Sequence, residues 1–507
     1  MGRKSRKKQI RYSDTYGREM MSLANNLLEK ANGPPLSGTK QWEEFLELHK
    51  LVEIIREKQI DHIPIETSRD EHIEEFLTWL KYNDVEVDHV SIEKFSEGYG
   101  LKALKEFKKE DTLLTVPRKV MMTVETAESS VLGSLISKDR VLQAMPNITL
   151  SVHLLCEKQL EDSFWKPYIN DILKQYKNIG RQYAYFYKLF QILPNSTKVP
   201  LKERFLYDDY RWAVSTVMTR QNHIPACDGT HRTTSLVPLW DMCNHCNGVI
   251  TTGFDVDTNS LYCLALKDFQ ISDQIFIFYG ARNNAEMLTH DGFVYLPNSH
   301  DNTSIKIGIS KNDPLFALKA ELLTMLHIST SRTFHIFCTE IPIPPMLVAF
   351  LKIIVMGEDE LKERLRSEND LNPALLLDID HVASIENEIK MWRFLDTRLD
   401  LLLKIYHVSI KDDEAMLKNN DLTNNARLAI QLRLSEKKIL QQTKKYGLKR
   451  KDRTSKLIGS DEENANGESI NVNEEGNIPR YVNVGTTVDI LDKSLNGEKL
   501  LAGLDIQ

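Results

Sequence analysis

Cysteine is scarce in this chain. Six cysteines among 507 residues, strung from Cys156 to Cys338, make no disulfide framework and suit a reducing compartment, so the cytoplasm is the expected location and the nucleus a second one. Long apolar runs are missing too. None approaches the ~20 residues a membrane span needs, and no membrane contact is expected. There is no excess of cations either: 65 Lys and Arg stand against 72 Asp and Glu, a net charge of −7, which removes the sequence-independent grip that direct contact with nucleic acid would use. The start, Met1-Gly2-Arg3-Lys4-Ser5-Arg6, is basic but lacks the apolar stretch of a secretory signal, and Arg6 stands where the myristoylation pattern needs Ser or Thr. Its cations read as a solvated, disordered tip, with a nuclear address as the other reading.

What is present is a globular composition, 41% hydrophobic, long enough for two or three domains with their own cores. Residues 1–20 form the basic tip. Residues 21–86 carry apolar side chains at helical spacing (Leu23, Leu27, Leu28, then Trp42, Phe45, Leu46) around Gly33-Pro34-Pro35, which predicts two helices and a turn. Short β-type runs, Val90-Ser91-Ile92 and Leu113-Leu114-Thr115-Val116, open a β-rich domain over 87–308. A helical insertion at about 125–220 splits it, and strands return at Val249-Ile250-Thr251-Thr252, Leu261 to Leu266 and Ile275 to Tyr279. Asp313-Pro314 reads as a helix start, and 309–446 as an all-α domain whose clearest stripe is Ile385, Ile389, Trp392, Leu395, Leu399, Leu402 and Tyr406. Residues 447–507 have the composition of a disordered tail. The fold class is therefore α+β.

Three short segments concentrate chemistry. Gly98-Tyr99-Gly100 follows a strand, where missing side chains admit a ligand to the backbone, although a plain hairpin explains it equally well. Trp240-Asp241-Met242-Cys243-Asn244-His245 packs polar groups into an apolar neighbourhood, either as a site or as a tied-down turn. Phe276-Ile277-Phe278-Tyr279-Gly280 is an apolar strand ending in a tyrosine, a residue that alone is more often core than catalytic. Cys243-x-x-Cys246 around His245 invites zinc, but no second Cys or His pair stands at a suitable distance, and no metal is expected.

In this order and spacing the three segments resemble the SET-domain pattern, here split by the helical insertion, and the α-domain after it resembles the substrate-binding domain of the Rubisco large-subunit methyltransferase group. Within that group Val116-Pro117-Arg118, Arg181 to Tyr187, Val217 to Asn222 and Leu239 to His245 are similar, almost letter for letter, to the actin-histidine N-methyltransferases. The resemblance runs from about Gln41 to Lys445. It implies S-adenosyl-L-methionine as cofactor, actin as protein substrate and a monomeric enzyme. It further implies that Glu97, Gly98 and Tyr99 hold the cofactor, with Tyr99 where the family usually has Phe. Arg220 would pair with its carboxylate, and Asp241, Met242, Cys243, Asn244 and His245 would bind its amino-acid and adenine portions. Asp291, where relatives often have Ser, would join Gly292 and Phe293 over the adenine, and Arg69 would reach in from the N-terminal helical segment. Tyr279 would sit beside the transferred methyl group. Asn222 would accept a hydrogen bond from the non-reacting imidazole N–H and so fix the tautomer, while Ile224, Pro225, Trp240 and Ile250 wall the slot.

Two other readings remain open at this point. The same scaffold takes lysine in other proteins, and only pocket residues decide. The chain also runs from Phe164-Trp165-Lys166-Pro167-Tyr168-Ile169 directly into Asn170 to Gln175, where relatives carry roughly two dozen more residues, so a catalytically weakened actin-binding module is the third reading.

Overall fold

Tyr16, Met20, Ala24 and Leu27 recur at helical spacing, and that periodicity extends the first helix upstream of the point where composition ended it. In the computed structural model α1 spans Gly2–Ala31, a helix where a disordered tip through residue 20 was expected, with Met20, Ala24 and Leu27 buried. The structure describes residues 2–33, 39–62, 72–96, 98–160, 162–165, 180–194, 197–202, 204–366 and 372–464. Arg69, Glu97 and the shortened segment at 169–175 fall outside them. The described residues form two compact units, one through Gly280 and one from Ala281, each with its own core. Among the described residues no helix is long and apolar enough to cross a membrane.

In the first unit α2 (Thr39–Gln59) and α3 (Ile73–Tyr82) precede the sheets. Between Thr123 and Gln221 stand three short helices (Val124–Glu128, Gly133–Ile136 and Arg140–Ala144) and then α4 (Pro146–Gln159), α5 (Gly180–Ile192) and α6 (Tyr207–Arg220). Every residue of α4 from Ile148 to Glu157 is buried, so it is a core helix with no solvent face. One buried amide joins three of these pieces: Gln59 Nε2 donates to the Tyr183 hydroxyl at 2.8 Å, and its Oε1 accepts from the Tyr207 backbone N–H at 2.8 Å. Both ends of the amide are satisfied, which burial demands.

The strands of the first unit form three small sheets. β1 (Val90–Phe95), β2 (Gly98–Ala103), β10 (Gln274–Ile277) and β7 (Asn244–His245) form one in the order β1-β2-β10-β7. β3 (Thr112–Pro117), β9 (Ser260–Leu264) and β8 (Thr252–Asp255) form a second. β4 (Met122–Thr123), β6 (Arg232–Leu236) and β5 (Gln221–Pro225) form the third. The strand expected from Val249 begins only at Thr252. Val249 and Ile250 stand in the preceding loop, 63% and 67% exposed.

The second unit is not purely helical, contrary to the reading of 309–446. β11 (Asn302–Gly308) pairs antiparallel with β12 (Ser331–Phe337) over seven residues. Strict alternation explains the hairpin: Ile305 and Ile307 on one strand and Phe334 and Ile336 on the other point into the core while their neighbours face water. α7 starts at Phe316 and runs to Met325; Asp313 serves the turn before it, accepting from the Leu315 N–H at 2.8 Å and from Lys319 Nζ at 2.8 Å. α8 (Pro345–Val355) and α9 (Ile385–Ile405) follow, with Met391, Trp392, Leu395 and Leu399 of α9 buried. α10 spans Asn424–Asn464, well past the boundary at 447 that composition set for the tail.

Candidate functional site

Hydrogen bonding of four strands brings the three chemical segments together, although they are spread from residue 98 to residue 279 of the sequence. β2 pairs with β10 antiparallel (Ile275 opposite Leu101), and β10 pairs with β7 parallel (Phe276 opposite Asn244, Ile277 opposite His245). The Gly-x-Gly strand, the Asn-His strand and the strand leading to Tyr279 are thus neighbours in one sheet. Gly98 has φ +118°, a conformation that favours glycine, and pairs with Phe95 to close the β1–β2 hairpin. Gly100 is required for space: a Cβ there would lie 2.6 Å from Gln274 Nε2 and 2.9 Å from Asn244 Nδ2. Asn244 Nδ2 uses that proximity to donate to the Tyr99 carbonyl at 3.2 Å.

Tyr279 follows β10 and is fixed at both ends. Its hydroxyl donates to the Cys243 carbonyl at 2.7 Å, and its backbone N–H donates to His245 Nδ1 at 3.2 Å, with the two rings 5.2 Å apart. An accepting Nδ1 assigns the proton of a neutral His245 to Nε2. Burial pushes the Cys243 thiol well above its usual range, so it contributes no thiolate. Among the described residues no group of three His, Cys, Asp or Glu side chains could hold a metal ion.

Arg220 ends α6, where a cation is favoured by the helix dipole, and turns toward the segment after β6. Its Nη1 donates to the Asp241 carbonyl at 2.6 Å and lies 3.5 Å from Asp241 Oδ2 and 3.8 Å from Met242 Sδ. The Asp241 carboxylate is 1% exposed and the Arg220 side chain 20%, so the pair combines a buried anion with a cation that still reaches the surface. Leu239, at φ +70°, makes the sharp entry into this turn.

Asn222 lies on β5 opposite Ser235, whose hydroxyl donates to the Asn222 carbonyl at 3.2 Å. Its Oδ1 accepts from the His223 N–H at 2.8 Å, and a carbonyl oxygen keeps a second lone pair for another donor. The expected apolar wall is less uniform than the sequence reading had it. Ile224 is 1% exposed, Ile250 is 67% exposed, and Trp240 spends its indole N–H on Thr252 Oγ1 at 2.9 Å. Pro225 alternates with Ile224 across the strand, so those two side chains leave β5 on opposite faces.

Asp291, Gly292 and Phe293 belong to the second unit. Arg282 Nη1 contacts both Asp291 oxygens, at 2.9 and 2.8 Å; burial raises the carboxyl pKa while the Arg282 charge opposes the rise. Gly292 takes φ +83° directly after it.

Sequence reasoning passed over three supporting side chains. Gln274 flanks Gly100, Arg282 holds Asp291, and Arg118 bonds to the Pro225 carbonyl, to Asn259 Oδ1 at 2.9 Å and to Glu125 at 3.2 Å, with its guanidinium over the Phe254 ring. Arg118 therefore anchors the far end of the strand that carries Asn222. Its only signal in sequence was a place in the Val116-Pro117-Arg118 run.

Comparison with known proteins agrees with this geometry. Residues 98–280 match the SET domain model, and residues 310–440 match the model described as Rubisco LSMT substrate-binding. The chain is 46% identical over 458 residues to an actin-histidine N-methyltransferase of Gallus gallus, covering 84% of this chain and 77% of that protein. It is 44% identical over 458 residues to the human protein of the same name, with the same shares covered. Among solved structures, Rubisco LSMT bound to AdoMet is similar with TM-score 0.58 and 22% identity, covering 78% of this chain and 97% of that one. The SET domain of LSMT bound to lysine and AdoHcy is similar with TM-score 0.59 and 21% identity, covering 84% and 99%. The chain belongs to the actin-histidine N-methyltransferase family, an enzyme family built on a SET domain followed by a Rubisco LSMT-type substrate-binding domain.

Proposed function

We propose that this protein is an S-adenosyl-L-methionine-dependent methyltransferase that modifies the tele nitrogen of a histidine side chain in actin. The observation that carries the reading is the meeting of Gly98-Tyr99-Gly100 and Asn244-His245 in one sheet, with Tyr279 just past its strand β10 and hydrogen-bonded to Cys243 and His245. The residues fit the cofactor. A guanidinium such as that of Arg220 suits a carboxylate, the Asp241 carboxylate suits an ammonium group, and the open space beside Gly98 lets a ligand reach the backbone there. When bound, S-adenosyl-L-methionine supplies an electrophilic methyl group on a sulfonium. Alignment and exclusion of water are then the protein's main contributions.

A histidine with a reference pKa of about 6.5 is largely neutral near pH 7, so no strong base is required. Asn222 would hold one ring nitrogen through its second lone pair and present the other to the methyl group. Tyr279, fixed between Cys243 and His245, would border the reacting atoms. Incubating the purified chain with labelled S-adenosyl-L-methionine and unmethylated actin, and locating the label by mass spectrometry, tests this. Label on histidine is the expected result. Label on lysine favours the lysine reading, and no label on intact actin that nevertheless binds favours the weakened module.

A further inference from the structure

A groove in the second unit has a composition that its role in folding does not explain. It is open, about 760 Å³ in volume, and lies between β11, the end of α8 and one side of α9. The core-facing side of α9 is already filled by Met391, Trp392, Leu395 and Leu399, all nearly inaccessible. Lys390, Phe394, Thr397 and Leu401 step by three or four along a second side and line the groove. Leu401 is 50% exposed, and Ile405, one turn on, is 67% exposed. Phe394 and Leu401 thus give the helix apolar surface beyond the side that its own core fills.

The rim is cationic. Lys306, Lys390, Arg393 and Arg398 contribute to the lining, and no Asp or Glu does. Lys390 pairs with Glu386 at 2.6 Å, but both side chains are more than half exposed, and such a pair holds the charge weakly. Among the described residues no carboxylate forms an ion pair with Lys306, Arg393 or Arg398. Arg398 donates through Nη2 to the Lys306 carbonyl at 3.0 Å, joining α9 to β11, while its buried Nε has no hydrogen-bond partner among the described residues. In a chain of net charge −7, a groove with an apolar floor, four cations and no anion is a local reversal of sign.

We infer that this groove is a docking site for an acidic segment of the protein substrate, with apolar side chains seated on Phe394, Val355 and Leu401 and carboxylates meeting Lys306, Arg393 and Arg398. A peptide suits it better than nucleic acid, since the floor offers one aromatic ring among aliphatic side chains rather than a series of stacking platforms. The inference rests on the reading of the chain as an actin methyltransferase and adds a second point of contact outside the residues that face the target histidine.

The test compares the full chain with a Lys306→Glu/Arg393→Glu variant and with Leu401→Asp, all three at exposed positions. Initial rates are measured on intact unmethylated actin and on a short peptide bearing only the target histidine and its neighbours. The expected result is a KM for intact actin raised by about tenfold or more at low salt, an unchanged kcat, and unchanged kinetics on the short peptide. Raising the salt should raise KM for intact actin in the unmodified chain and much less in the charge-reversed one. Unchanged KM on intact actin would overturn the proposal, as would equal losses on both substrates. Faster turnover of intact actin by the charge-reversed chain would also overturn it, pointing to the acidic residues 465–507 of this chain as the occupant. So would an effect confined to binding of a single-stranded oligonucleotide. If the unmodified chain labels neither substrate, it is the methyltransferase reading that fails.

Discussion

At the scale of single residues, the chemistry was legible where it is written in adjacent letters and hidden where it depends on distant partners. Asn244, His245 and Tyr279 announced themselves within short runs. Arg118 did not, because the groups it bonds stand 107 and 141 positions away, at Pro225 and Asn259, and no local pattern encodes such a pairing. Asn222 is the intermediate case: its amide was noticed, whereas its bond to the His223 N–H was not. Replacing Asn222 with Phe removes an acceptor and leaves the imidazole N–H unpaired in a dry slot. Histidine methylation should slow by roughly ten- to a hundredfold, for about 1–3 kcal/mol. The aromatic wall suits the aliphatic stem of lysine, so the ratio of initial rates on matched His and Lys peptides should move toward Lys. Arg118 and the β5–β6 pairing keep the strand in place, so the melting temperature should change little. An unaltered His-to-Lys ratio would remove Asn222 from the specificity determinants.

At the scale of elements, periodicity was a good guide to type and a poor one to boundaries. The α9 stripe and the runs that became β1, β3, β9 and β10 stand where the pattern put them. β12 was missed because only four alternating residues, Thr333 to Ile336, sit between helical stretches, and a short alternation there reads as part of either neighbour. α4 shows a consequence that only burial reveals. His153 lies on it 1% exposed, with Thr126 Oγ1 3.1 Å from its Nε2 and Glu157 Oε1 3.8 Å from its Nδ1. Burial pushes its pKa down to about 4, against a reference value of about 6.5. Between those values the unfolded chain takes up a proton that the folded chain refuses. The stabilisation is therefore complete above about pH 6.5 and is lost as pH falls toward 4, by up to ~3 kcal/mol. Denaturant unfolding of the unmodified chain and of His153→Gln at several pH values isolates this contribution, since other titrating groups cancel in the difference. The unmodified chain should lose more stability than the variant between pH 6.5 and 4.5. Parallel curves would show that the folded chain takes up the His153 proton as readily as the unfolded one.

At the scale of the whole molecule, a two-part architecture was legible from a change in texture. The reading set that change after residue 308, whereas the second unit begins at Ala281 and includes β11, and the end of that unit was not legible either. Composition turns polar and glycine-containing near Gly447, which reads as the start of a tail. Contacts carry the fold further. Gly447 itself lies against Trp392, where a Cβ would come within 3.1 Å of the indole, so this glycine serves helix packing rather than chain flexibility. Beyond it Arg450 donates to Asp380 at 2.7 Å and to the Ile379 carbonyl at 2.6 Å, and Thr454 is buried. Sparse, polar contacts of this kind leave no hydrophobic period for a sequence reading to find. Two truncations separate the alternatives. Ending the chain at Asn464 should leave both the melting temperature and methyl transfer close to those of the full chain. Ending it at Leu448 removes the Arg450 bonds and the buried Thr454, at a cost of about 1–3 kcal/mol, which for a unit of this size lowers the melting temperature by roughly 2–12 °C. Scanning calorimetry of the two shortened proteins beside the full chain reads the difference. Equal melting temperatures for both truncations would mean that the helix past Leu448 adds nothing to the second unit, and that the boundary drawn from composition alone was the right one.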